Sequence, residues 1–189
     1  MTYLRRAILI AGLLAAGCTH SVSDPAAGPA ALRKGQTIDE LYDRGRAFAM
    51  IGDLTRGEQY LSAALEHGAD PQKVLPPLVH ICVEAGRYRV AADYVHAYMG
   101  AAGESADLHM LYGLLEAAIG DVEVARREYE TAIRLHPDDG AVHYALAVLL
   151  RSALVDPDGS NAEFREYLRL APHGEHAAEA RAALATEAP

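Results

Sequence analysis

Nine histidines, two cysteines and 26 carboxylates are the residues of this 189-residue chain best equipped for chemistry. Their spacing offers little of it. A His-Glu-x-x-His pair, which sets two imidazoles on one helical face beside a general base, is absent. His173 and His176 stand three apart, a step that fits one helix face, but no third ligand accompanies them. His109 and His143 occupy the same place in the repeat described below, which points to packing. Asp156-Pro157-Asp158-Gly159-Ser160-Asn161 has the oxygen density of a calcium loop. Its glycine comes fourth rather than sixth and no glutamate stands twelfth, so it reads as a turn. There is no Gly-x-Ser-x-Gly elbow, phosphate loop or dinucleotide fingerprint. The carboxylates recur at helical spacing, the pattern of solvated faces. Cys82, between Ile81 and Val83, reads as a small buried hydrophobe. The expectation is a protein with no catalytic residue, no metal site and no cofactor.

Cys18 is set differently. Arg5 and Arg6 precede an apolar run from Ala7 to Ala16, and Gly17-Cys18 follow. A basic start, a short apolar core and a small-residue cleavage site make a secretory signal. Ten helical residues span roughly 15 Å, about half a bilayer core, which disfavours a transmembrane anchor. Leu14-Ala15-Ala16-Gly17-Cys18 resembles a bacterial lipobox, with Ala15 where that family prefers leucine. The resemblance implies cleavage after residue 17 and lipidation of Cys18. Thr19 rather than aspartate after the cysteine implies, by the same resemblance, an outer-membrane anchor on the periplasmic side. Plain secretion with an unmodified Cys18 is the alternative. Residues 18–37, with Pro25, Gly28, Pro29 and Gly35, show no hydrophobic period and read as a tether.

The elements that would present a binding site follow from composition and period. Half the residues are hydrophobic, alanine is abundant, tryptophan is absent and phenylalanine occurs twice, a mix that favours helices. A net charge of -9 repels phosphate backbones and argues against nucleic-acid binding. Gly52, Gly86 and Gly120 recur with a period of 34. The same period links Gly45, Val79, Gly113 and Ala147, and also Gly57, Ala91 and Ala125. Each unit reads as two amphipathic helices around a glycine turn, with small residues where the helices meet. One such unit cannot bury its face alone, so neighbours must stack.

Residues 106–139, with Gly113, Ala125, Tyr129, Ala132 and Pro137, resemble the tetratricopeptide repeat. Residues 38–71 resemble it through Gly45, Phe48, Gly57, Leu61 and Ala64. Residues 72–105 depart from the pattern. Pro76-Pro77 falls within the expected first helix, which is predicted to begin late, near Pro76. Residues 140–173 carry Ala147, Phe164 and Pro172, with about one extra residue at the turn. Residues 174–186 read as a capping helix with Ala177, Ala180 and Leu184 inward. The fold so implied is all-α: a right-handed solenoid of about four helical hairpins plus a C-terminal cap.

By the same resemblance, a groove lined by each unit's first helix binds a peptide segment of a protein partner. The positions that map to it include Arg46, Met50, His80 and Glu84 in the first half. The second half offers Met110, Leu114, Tyr144, Val148 and Arg151. That half is apolar, and Arg46 of the first half or Arg151 is available to clamp a carboxylate or a backbone carbonyl. The alternative is that the capping helix covers it. Val142-His143-Tyr144-Ala145-Leu146-Ala147 resembles pilotin-type lipoproteins, and a Tad-type pilus lipoprotein is a related comparison. The expected function is a non-catalytic, lipid-anchored scaffold assisting a pilus or secretion complex. Its contact with the membrane would be through the anchor alone. A scaffold regulating peptidoglycan-remodelling enzymes is the alternative, and a hydrolase the least favoured reading.

Overall fold

The computed structural model describes residues 36–185. The expected signal sequence, Cys18 and nearly all of the expected tether lie outside them. The described residues form nine helices and no strand. They are α1 (Ile38–Met50), α2 (Leu54–Glu66), α3 (Pro71–Glu84), α4 (Tyr88–Ala102) and α5 (Ala106–Ile119). α6 (Val122–Leu135), α7 (Gly140–Ser152), α8 (Pro157–Leu170) and α9 (Ala177–Ala185) follow. Each helix packs chiefly on the one before and the one after it, and α1 also meets α3 as α5 meets α7. Four hairpins therefore stack in chain order, with first helices beside first helices. None of the described helices is long and apolar enough to cross a membrane.

Short polar residues start the helices. Thr37 and Glu40 form a reciprocal capping box at α1, and the Asp53, Asp70, Ser105, Asp139 and Asp156 side chains accept backbone N–H groups at α2, α3, α5, α7 and α8. Each satisfies a donor the helix cannot satisfy itself. The glycine turns behave as one device. Asp53, Arg87 and Asp121 donate their backbone N–H to the carbonyls of Phe48, Cys82 and Glu116, five residues back. Gly52, Gly86 and Gly120 take φ of 78°, 70° and 98° to allow it. In unit four the extra residue stretches that bond to six, from Asp156 to Leu150, and Val155 takes the positive φ, 53°. A β-branched side chain is strained there, and it is also 79% exposed.

Close packing of the two helices explains the other column. A Cβ on Gly113 would lie 2.7 Å from the Tyr129 ring, and one on Gly45 2.6 Å from Leu61. Val79 and Val95 share a core cluster at the matching step in unit two, as do Ala147 and Phe164 in unit four.

α3 does not begin late. It starts at Pro71 and runs through Pro76 and Pro77. Proline removes two backbone bonds, those to the carbonyls of Gln72 and Lys73, but both of these residues are exposed to water. Asp70 holds the first turn, and Val74, Leu75 and Leu78 are fully buried on either side. Burial outweighs the local penalty. Two carboxylates also leave the solvated pattern. Glu58 of α2 takes a two-pronged contact from Arg87, with Tyr94 donating to it over 3.3 Å. Glu116, 3% exposed, stands 3.7 Å from Arg89, which also bonds Asp121. Both ties join neighbouring hairpins.

Arg151 is not a free clamp. Its guanidinium donates to Asn161 Oδ1 at 2.7 Å, to the Ala183 carbonyl at 2.9 Å and to Ser160 Oγ at 3.3 Å, and it lies over the Phe164 ring. It fastens α7 to α8 and to α9. The reason is positional: α8 and α9 close the array, and their buried polar groups need a donor.

Gly113→Val should cost about 2 kcal/mol, because overpacking against Tyr129 exceeds any gain in helix propensity. Chemical unfolding monitored by circular dichroism would read it as a lower midpoint at unchanged slope. Arg151→Ala should cost about 2 kcal/mol by leaving Asn161 and the α9 carbonyl unpaired. It should also speed proteolysis within residues 177–185 while sites in unit one stay protected.

Candidate peptide-binding groove

The first helices of units three and four set the wall residues of a pocket of about 470 Å³. α5 contributes Met110, Leu114 and Ala117, spaced so that one helical face looks across at α7. α7 contributes Ala141, Tyr144, Val148 and Ser152 at intervals of three and four. Val122 and Tyr129 of α6, with Leu149, form the floor, and His176 stands at the far end. No Asp, Glu, Lys or Arg lies among these wall residues. Leu114 stays 43% exposed, so the described C-terminal segment walls the pocket without roofing it.

Four of the expected groove residues, Met110, Leu114, Tyr144 and Val148, thus share this one pocket. Arg46, Met50, His80 and Glu84 share another of about 320 Å³, between α1 and α3. It is polar. Arg46 leans on the Tyr42 ring at 5.7 Å, Lys73 sits over the same ring at 4.4 Å, and His80 is 3.6 Å from Glu84. Arg151 alone among the expected residues lines neither pocket.

Tyr144 organises the end of the apolar pocket. Its ring stacks on His176 with centroids 4.0 Å apart and planes 9° from parallel. It also packs edgewise on Phe164. Burial pushes its phenol up to about 12, and the neighbouring Glu179 carboxylate adds to the shift. It therefore remains a hydrogen-bond donor throughout the neutral range. His176 was not foreseen as a wall residue. The signal was there: continuing the inward face of Ala180 and Leu184 back by one turn reaches it.

Other groups that could do chemistry are committed elsewhere. His109 Nδ1 pairs with Glu128 at 2.7 Å. His143 Nδ1 pairs with Glu163 at 2.6 Å while its Nε2 meets the Pro137 carbonyl at 3.0 Å. Both histidines join the two helices of their hairpin. Cys82 is fully buried, and burial raises its thiol to about 11, with Glu58 adding to the effect. It has no thiolate character near neutrality. Among the described residues no group of three or more His, Cys, Asp or Glu is placed to hold a metal ion.

Residues 114–175 match the tetratricopeptide repeat family. No curated protein matches the chain in sequence. Among solved structures, the chain is similar to a tetratricopeptide repeat protein from Parabacteroides merdae, at 22% identity and a TM-score of 0.69 over 79% of this chain. It spans 59% of that protein's length. It is similar also to MamA from Desulfovibrio magneticus, at 19% identity and a TM-score of 0.64, covering 77% of this chain and 81% of that one. A third is YrrB, described as a tetratricopeptide repeat protein with an unusual peptide-binding site, at 13% identity and a TM-score of 0.66 over 77% and 75% of the two chains. At these identities the likeness is one of fold. The described residues form a tetratricopeptide-type solenoid of four helical hairpins and a closing helix, and residues 114–175 match the repeat in sequence as well.

Proposed function

We propose that this protein is a non-catalytic interaction scaffold that holds a segment of a protein partner in the pocket between α5 and α7. The observation that carries the reading is the uncharged, solvent-open cavity of about 470 Å³ on the side where first helices stand together. A cavity of that size, walled by aliphatic and aromatic groups with a few polar ones at its end, fits side-chain anchors of a peptide. Glutamate partners account for His109 and His143 and burial accounts for Cys82, which supports a binding role over turnover.

The finer reading is that Cys18 is acylated and that residues 18–37 hold the array off the outer membrane, on its periplasmic side. There the scaffold would assist assembly of a pilus or secretion complex. Support comes from the basic-apolar-Gly17-Cys18 order and from the pilotin-like stretch that contains Tyr144. Two or three acyl chains hold a protein at a bilayer where one binds reversibly.

Leu114→Asp combined with Val148→Asp should abolish partner recovery from detergent-solubilised envelopes while helical circular dichroism is retained. Unchanged recovery would remove the pocket from the account. A recovered secretin would support the assembly role, and a recovered murein hydrolase would favour regulation of peptidoglycan remodelling instead. Cys18→Ser should move the protein from the membrane fraction to the soluble one and stop incorporation of labelled palmitate.

A further inference from the structure

We infer that the segment held by this pocket is cationic: two or three aliphatic side chains enter the cavity, and a lysine or arginine beside them meets Glu175 and Glu179 at the α9 end. The inference rests on the binding reading above and names the chemistry of the partner. Three observations carry it.

The pocket has no lysine or arginine to receive a carboxylate. Its walls are uncharged, and Arg151, the arginine on the pocket-lining helix α7, is bonded to Ser160, Asn161 and Ala183. An acidic segment or a free C-terminus would meet no opposite charge there.

One end of the pocket is acidic. His176 closes it by stacking on Tyr144, and Glu179 lies 4.0 Å from His176 with its side chain 63% exposed. Glu175 is exposed as well, and both carboxylates lie close enough to act on the Tyr144 phenol. Among the described residues neither is paired with an arginine or lysine. The acids beside Val122 at the other end are different. Asp121 is held by Arg89 at 3.1 Å and Glu123 by Arg126 at 3.0 Å. The acids beside Val122 are thus compensated, whereas the two at the α9 lip are not.

The chain as a whole is acidic, with a net charge of -9, so long-range attraction favours the same sign of partner. An amphipathic helix with an apolar stripe and flanking cations satisfies pocket and lip together.

The test uses two labelled peptides of sixteen or so residues, with leucines at i, i+3, i+4 and i+7. One is flanked by lysines and the other by glutamates. Anisotropy titration against the full chain should show the lysine peptide binding at least tenfold tighter, with the difference shrinking as salt is raised. Glu175→Gln with Glu179→Gln should weaken the lysine peptide roughly three- to tenfold and leave the glutamate peptide no weaker. Leu114→Asp should remove binding of both. Equal affinity for the two peptides would overturn the inference and leave the pocket reading standing. So would a lysine preference that survives the double glutamine variant, since net charge alone would then explain it. Failure of both peptides to bind would also overturn it, while the pocket reading would still be judged by recovery of the envelope partner.

Discussion

Everything in this fold hangs on how closely the two helices of a hairpin approach. A small residue on the first helix takes a large one from the second: Gly45 takes Leu61, and Gly113 takes Tyr129. The same step brings Val79 to Val95, and one residue further brings Ala147 to Phe164. Protein interiors tolerate neither voids nor overlap, so the sizes must compensate within each pair. They do: the smallest receivers face the larger guests, and the one pair of equals is two valines. With that distance fixed, each hairpin presents its outer faces to the next, and stacking follows.

The groove is a by-product of the same geometry. First helices come to lie beside first helices, and their facing residues have only each other and water for company. Between α1 and α3 those residues are charged and partly satisfied by one another. Between α5 and α7 they are apolar and only partly covered. The array thus has one permissive half and one selective half on a single backbone plan. α9 and the turn before it break the symmetry by supplying His176, Glu175 and Glu179, which no repeat unit provides.

Much of this was legible in the sequence. The period of 34, the turn glycines and the small-residue columns state the hairpins directly, because those positions are constrained by backbone geometry and hard contacts. Arrangements that depend on distant partners were not legible. Pro76-Pro77 reads locally as a helix boundary, yet Val74, Leu75 and Leu78 are buried firmly enough to carry α3 across it. Arg151 occupies a groove position in the repeat, but its partners lie on α8 and α9, which a repeat pattern says nothing about. Glu116 reads as a surface acid, although its column holds Phe48, Cys82 and Leu150, and that column was the sign of its burial. Charge alone does not reveal a buried carboxylate.

The neighbour-only contact pattern has a mechanical side. Any load delivered through the chain ahead of residue 36 enters at α1, where Thr37 and Glu40 lock the first turn and Leu41 anchors it. Because each hairpin is braced chiefly by the next, tension of that kind peels the array from its first unit onward. The cavity between α5 and α7 lies at the opposite end, behind two whole hairpins, on a helix that Arg151 ties to α8 and α9. A tug on the leading end would therefore be absorbed by sacrificial unzipping of the outer units long before the grip on a bound segment was disturbed.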